Sequence, residues 1–400
     1  MFWNTSWSYL PVNYGTNIGT IENMTQRSIL WNNVSGNKVK VRFSNRYGKT
    51  PLLIEKAVIA QLKEGNETVS ESVVLTYENC QQITIEPGKE FYSDEIEYTI
   101  SAGSRFVLSL YVKEKTEIAS ACSTWSAKEF QTVYALDGDH TMDVEIVGKE
   151  SREVFPYVEA DVNKATILFG VSEILVQSEQ KVTTICLFGD SITHMSYYHD
   201  ALAQIIAAQY RGKATLVNRG IGGNRVLHDA CHVKAIPGEG SCFGKSAVNR
   251  FDQDAFSPSK PDVIIYLEGV NDLMHPYIFE KPEEIVTATQ LEKAVSTFLH
   301  RAHDHGTRMY FGTIMPFRND EMPWLEEAEK VRQEYNEWVR TQTIADGVID
   351  FDYACRKQDK IEYLKDMLHI GDGLHPNTAG GEEMARLIPM NEIISESEGF

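Results

Sequence analysis

Four short groups of residues in this chain have the types and spacing that nucleophilic catalysis needs. The first is Phe188-Gly189-Asp190-Ser191-Ile192-Thr193, which follows the apolar run Thr184-Ile185-Cys186-Leu187. A β-rich run that stops at Gly-Asp-Ser and passes into a helical pattern puts Ser191 on a strand-to-helix turn. Its hydroxyl is then held at the sheet edge, where backbone N–H groups of the helix start can meet a developing negative charge. The second group, Asn218-Arg219-Gly220-Ile221-Gly222-Gly223-Asn224-Arg225, follows the short strand pattern Thr215-Leu216-Val217. Its glycines let the backbone approach a ligand closely. The third, Gly269-Val270-Asn271-Asp272, follows Val263-Ile264-Ile265-Tyr266-Leu267, and an Asn there can aim an amide N–H at an oxyanion. The fourth is Asp372-Gly373-Leu374-His375-Pro376, in which Asp and His can meet on one turn so that the carboxylate orients the imidazole.

Taken singly, each group reads as an ordinary turn, since Gly, Asn, Asp and Ser favour such conformations. Their order along the chain makes four coincidental turns an unattractive explanation. A dinucleotide site at Gly220-Ile221-Gly222-Gly223 is excluded because Arg225 stands where a third glycine is expected. No G-x-S-x-G elbow, P-loop or HExxH motif is found.

The combination resembles the SGNH, or GDSL-type, esterase and lipase superfamily, whose four blocks carry Ser, Gly, Asn and His in that order. The resemblance runs from about Lys181 to about Pro389. It implies that Ser191 is the nucleophile, His375 the general base and Asp372 the residue that orients it. It also implies an oxyanion hole made by the Ser191 backbone N–H, the Gly223 backbone N–H and the Asn271 side chain. Gly223 is preferred to its neighbour Gly222 because the family glycine lies about five residues after the block's Asn, here Asn218. The implied activity is ester hydrolysis through an acyl-enzyme, with no metal or organic cofactor.

Composition bounds the partners. The chain has 400 residues, 42% hydrophobic and 24% charged, enough for two domains. A net charge of -19 disfavours nucleic acid and anionic membrane. No apolar run is long enough for a membrane-spanning helix. The start of the sequence lacks a basic segment followed by an apolar one, so the expected location is cytoplasmic, or secreted if the sequence is a mature form. Among six cysteines, Cys186 reads as a buried apolar residue, while Cys231 and Cys242 flank a Gly- and Pro-bearing loop where they could pair. His228, Asp229 and His232 in that loop fit no tight zinc spacing, and a polar loop beside the active site is the preferred reading. N-x-S/T sequons begin at Asn4, Asn23, Asn33 and Asn66.

The elements that must position these groups fall into two parts. Residues 1–178 read as a β-sandwich or jelly-roll-like accessory domain. Expected strands are Lys38–Ser44, Leu52–Leu62, Ser72–Tyr77, Gln82–Glu86, Glu95–Ile100 and Arg105–Lys113, with turns such as Glu64-Gly65-Asn66 and Pro87-Gly88 between them. Alternation in Val39-Lys40-Val41-Arg42-Phe43 marks a half-buried strand. The polar stretch Val176–Gln180 suggests the domain boundary. Residues 179–400 alternate strand and helix and read as a three-layer, flavodoxin-like parallel sheet. Helices are expected at His199–Tyr210, Ala247–Phe256, Glu283–His303, Trp324–Thr341 and Thr378–Leu387. Strands are expected at Thr215–Val217, Asp262–Leu267, Met309–Ile314 and Val348–Phe351. All four motifs then fall at strand C-terminal ends or in loops, where ligands bind in such sheets.

The substrate expectation is a short acyl group, acetyl first, on a carbohydrate alcohol, because a β-domain ahead of an SGNH domain resembles carbohydrate acetylesterases. The motif Leu267-Glu268-Gly269-Val270-Asn271-Asp272 looks like that of the arylesterase-like members. The alternatives are a lysophospholipase or thioesterase acting on longer chains, or a carbohydrate-binding protein without activity. Trp3, Trp7, Tyr9 and Tyr14 either stack on sugar or, as the preferred reading, pack a core. Oligomeric state is not specified by the sequence.

Overall fold

The computed structural model describes residues 1–64, 68–150, 165–230, 232–234, 236–319 and 325–397. Gly65 and Asn66, Cys231 and Trp324 lie outside the described residues, so one expected turn, its sequon, the Cys231–Cys242 pairing and the expected first residue of one helix do too. The chain divides into two compact units: Met1–Val182 with Ile206–Leu216, and Thr183–Ile205 with Val217–Phe400.

The first unit is rich in antiparallel strands. One sheet runs in the order Phe2–Ser8, Val171–Ser178, Gly36–Ser44 and Glu90–Tyr92, with Ile96–Ile100 also on Gly36–Ser44. A second contains Lys149–Glu150, Gln131–Asp137, Met24–Trp31, Arg105–Val112, Lys56–Gln61 and Val73–Leu75. The alternation read in Val39–Phe43 is real: Val39, Val41 and Phe43 are fully buried while Lys40 and Arg42 are half-exposed. The expected single strand Leu52–Leu62 is instead two. Leu52–Ile54 pairs with Ile83–Ile85, and the chain bends at Glu55 so that Lys56–Gln61 joins the larger sheet. Val176 lies within the inner strand Val171–Ser178, paired on both sides, and the two compact units divide after Val182.

Several strands escaped the sequence reading because they bury polar side chains whose partners are remote in sequence. Within Met24–Trp31, Gln26 bonds both ways with the Phe169 backbone at 2.9 Å, and Arg27 donates to the Glu145 carbonyl at 2.8 Å. Glu173 is buried in its strand and accepts from Thr5 at 3.0 Å. Such residues break period-2 alternation without breaking the strand. Trp7, Tyr9 and Tyr14 are core residues, at most 5% exposed, whereas Trp3 is half-exposed with the Lys40 ammonium 4.3 Å above its ring.

The second unit carries a five-stranded parallel sheet in the order Ala214–Gly220, Thr183–Gly189, Val263–Leu267, Arg308–Gly312 and Gly347–Ile349. The leading residues of Ala214–Gly220 cluster with the first unit. Numbered by sequence this order is 2-1-3-4-5, the flavodoxin-like arrangement, and its direction reverses beside the first strand. The inner strands are continuous apolar runs because helices cover both faces: Ile185–Phe188 and Val263–Tyr266 are fully buried. Helices occur at Tyr197–Gln209, Ala247–Phe256, Val270–Ile278, Ala288–Asp304, Glu326–Thr341 and Thr378–Arg386. The expected helix from Glu283 is a short 3₁₀ turn, Pro282–Glu284, followed by the helix that Thr287 caps with Gln290 in a capping box. Phe351 ends no strand; it starts the short helix Phe351–Cys355 under the Asp350 cap. Among the described residues no helix is long and apolar enough to cross a membrane.

Candidate active site

Ser191 begins a four-residue helical turn, Ser191–His194, directly after the strand Thr183–Gly189. Asp190 caps that turn by accepting the Ile192 N–H at 3.0 Å. Gly189 is required before it: an added Cβ would stand 2.1 Å from the Leu267 carbonyl oxygen of the neighbouring strand. Asn218 ties the turn to the next strand, donating to the Thr193 carbonyl at 2.8 Å while its Oδ1 accepts the Gly220 N–H at 2.9 Å.

The glycine loop after Ala214–Gly220 is pinned on both sides. The Gly222 N–H donates to His194 Nδ1 at 3.0 Å, which commits that amide and leaves Gly223 as the donor candidate of the pair. Gly223 has φ +73°, a left-handed conformation, and an added Cβ would stand 2.2 Å from the Phe243 ring. Both facts exclude a side chain there. Asn271 lies in the first turn of the helix Val270–Ile278, where the sequence suggested only a position after a strand. Its Nδ2 donates to the Asn224 carbonyl at 2.9 Å. A primary amide carries two N–H groups, so the second is available to a ligand. Next to it, the Asp272 carboxylate accepts the Val226 and Leu227 N–H groups at 2.6 and 3.0 Å, tying the glycine loop to this helix.

His375 completes the arrangement from the far end of the chain. Its Nε2 is 2.8 Å from Ser191 Oγ, and its Nδ1 is 2.6 Å from Asp372 Oδ2. The other Asp372 oxygen accepts the Leu374 and His375 N–H groups at 3.0 and 2.9 Å, which closes the turn that brings the pair together. Burial alone would raise the Asp372 carboxyl. The hydrogen bond and charge of His375, with the two backbone donors, outweigh it and hold the group below the usual carboxylate range. An ionised Asp372 places the imidazole proton on Nδ1, so Nε2 faces the serine hydroxyl as an acceptor.

Beneath the site lies a set of buried acids that the sequence reading did not single out. Burial pushes Asp190 up to about 7, with the Ile192 N–H pulling against it. It pushes Asp272 up to about 6 and Glu268 to about 8, the Arg250 charge opposing the latter. Both Glu268 oxygens are buried without a hydrogen bond among the described residues. Burial, aided by the Arg225 charge, pushes His275 down to about 3, so its imidazole is neutral where it packs against Phe243 and Phe279. Arg250, Asn224 and His194 were also missed. Arg250 and His194 follow no motif spacing, and only the fold brings them to the glycine loop; Asn224 lies in that loop, but nothing local to it shows that its side chain binds Arg250.

The loop residues weighed for zinc go to separate partners. Asp229 accepts from Ser246 and Asn249, and His232 pairs with Glu239 at 3.1 Å. Among the described residues no group of three His, Cys, Asp or Glu side chains is placed to hold a metal ion.

Residues 187–382 match the GDSL-like Lipase/Acylhydrolase family. Residues 187–382 form a GDSL-like acylhydrolase domain. This domain spans Ser191, Gly223, Asn271, Asp372 and His375. No curated protein matches the chain. Solved structures similar to it include an acetyl xylan esterase from Geobacillus stearothermophilus, at 19% identity over 54% of this chain and 97% of that one, TM-score 0.40. A GDSL-like lipase from Bacteroides thetaiotaomicron is 15% identical over 54% of this chain and 89% of that one, TM-score 0.39. An α/β hydrolase from the metagenome of Lake Arreo is 18% identical over 53% and 95%, TM-score 0.40.

Proposed function

We propose that the GDSL-like domain is a serine esterase that removes short acyl groups, acetyl first, from carbohydrate alcohols. The observation that carries the catalytic part is the hydrogen-bonded line from Asp372 through His375 to Ser191 Oγ, at 2.6 and 2.8 Å. In this mechanism His375 Nε2 takes the hydroxyl proton as Oγ attacks the ester carbonyl. Asp372 stabilises the imidazolium that forms. The oxyanion is met by the Ser191 and Gly223 N–H groups and the second Asn271 amide N–H. His375 then returns its proton to the leaving alcohol, and a water molecule repeats the cycle on the acyl-enzyme. Each step is proton movement and acyl transfer among this chain's own residues and the substrate.

The short-acyl part is supported by Phe243, whose ring packs so closely on Gly223 that no methyl group fits between them. With His275 and Phe279 it makes an aromatic wall beside the oxyanion donor, with ring centroids 5.2 and 6.2 Å from Phe243. The carbohydrate part rests on the resemblance to acetylesterases that carry an N-terminal β-domain. The test is an acyl-length series of aryl esters run beside acetylated xylan, acetylated mannan and simple sugar acetates. Turnover should be highest for acetyl and fall with chain length, and acetate should be released from at least one saccharide. A rate that rises toward eight or more carbons would move the assignment to a lysophospholipase or thioesterase. No turnover of any ester would leave the non-catalytic reading.

A further inference from the structure

Arg250 is 2% exposed, sits on the helix Ala247–Phe256 and touches no reacting atom, yet it hydrogen-bonds two of the strand-end motifs and its charge lies beside the residue that precedes the third. Its Nη2 donates to the Gly189 carbonyl at 2.9 Å, two residues before Ser191. Its Nη1 donates to the Arg219 carbonyl at 2.9 Å, at the start of the glycine loop. Its Nε donates to Asn224 Oδ1 at 2.7 Å, next to Gly223. Its guanidinium lies 4.0 Å over the Phe188 ring and 3.6 Å from the Glu268 carboxyl, three residues before Asn271.

Asn224 passes this restraint on. Its Nδ2 donates to the Phe243 and Lys245 carbonyls at 2.5 and 2.7 Å, and its own carbonyl holds the Asn271 amide at 2.9 Å. Arg250 therefore fixes the side chain of a residue whose backbone adjoins one oxyanion donor and orients another. The planar guanidinium fork reaches three acceptors in different directions at once, which a lysine ammonium cannot do with fixed geometry.

We propose that Arg250 is a positioning residue for the oxyanion hole, acting through Asn224 on Gly223 and Asn271; the proposal rests on the serine esterase reading above. Donors aimed in advance at a developing charge lower the barrier without changing ground-state affinity. A loosened loop should therefore cost kcat and leave KM nearly untouched.

The experiment uses the full chain and an aryl acetate, with thermal unfolding to confirm folding. Arg250→Lys and Asn224→Ala should each lower kcat by about 10²-fold, the scale of a small misplacement, with KM within about twofold. Inhibition by a boronic acid, whose tetrahedral adduct mimics the oxyanion, should weaken by a similar factor. The double variant should lose no more than the worse single one, because both break one line of contacts. A folded Arg250→Lys protein with wild-type kcat, or losses that multiply in the double variant, would overturn the proposal. Should Arg250→Lys fail to fold, Asn224→Ala decides alone, and unchanged kcat and boronate affinity would overturn it. Ser191→Ala separates the two readings. Activity surviving that change refutes the catalytic site itself, whereas Ser191-dependent activity indifferent to Arg250 refutes only this inference.

Discussion

The two halves of the candidate site are built differently, although both lie in the same compact unit. Ser191, Gly223 and Asn271 stand at strand ends and are held by groups from the core: Arg250, Asn218 and the buried Asp272 carboxyl. Asp372 and His375 belong to a surface loop, with side chains 35% and 21% exposed. That loop is held mostly by contacts within its own stretch, with one from Asn319 farther up the chain. His369 Nδ1 accepts the Gly371 and Gly373 N–H groups at 3.0 and 3.1 Å, Asn377 donates to the His369 carbonyl, and Asn319 reaches the Asp372 carbonyl. The contrast fits the roles proposed for each half. Oxyanion donors work by being fixed in a dry setting before charge develops. An acid–base pair changes charge during every cycle, and a wetter, half-exposed site makes that cheaper.

The largest effect should come from the atom the two halves share. Ser191→Ala should leave thermal unfolding unchanged and cut kcat by about 10³-fold or more, and a phosphonate should label the wild type once and at Ser191. Labelling at another serine would break the comparison outright. His375→Ala should approach the same loss in steady-state kinetics. Asp372→Asn should be milder by about tenfold or more, since a carboxylate that orients costs less to lose than the base itself. Equal losses would mean that His375 works as a base only in the tautomer that the Asp372 carboxylate enforces.

On the fixed side, Asn271→Ala should lower kcat by about 10²–10³-fold with KM little changed. Gly223→Ala should lower both kcat and melting temperature, because the new methyl group meets the Phe243 ring and φ +73° strains any side chain. A Gly223→Ala protein with wild-type rate and stability would move the donor role away from this residue.

The smallest effect tests the buried acids and is one of stability. The Glu268 carboxyl rises from an ordinary 4.5 to about 8 in the folded protein. A raised acid contributes stability that is fully present below pH 4.5 and lost as pH climbs through about 8. Glu268→Gln removes that loss, so its melting temperature should gain on the wild type as pH goes from 5 to 9. A difference between the two proteins that stays constant over the same range would show that Arg250 keeps Glu268 charged.

Much of the second unit was legible because its strands are buried on both faces and read as unbroken apolar runs. Ile185–Phe188 and Val263–Tyr266 could be placed without knowing the fold. The antiparallel unit was harder. Met24–Trp31 and Val171–Ser178 bury Arg27, Gln26 and Glu173, whose partners lie far away in sequence, so the alternation that marks a strand was absent. Leu52–Leu62 read as one strand because periodicity does not register a bend at Glu55 that moves the chain between sheets.

The sequence by itself determined the chemistry available: a serine after Gly-Asp, glycines and an asparagine at later strand ends, and an Asp and His three residues apart. These are local facts, since a turn or a strand end is specified by its own few residues. Tertiary structure decided which groups meet. It carried His375 across 184 positions to Ser191 Oγ and committed the Gly222 N–H to His194. It also set Arg250 where its guanidinium donates to Gly189, Arg219 and Asn224, in two motif segments that share no spacing with it. Those contacts depend on strand order in the sheet and on the direction of buried side chains, and no spacing along the chain encodes either.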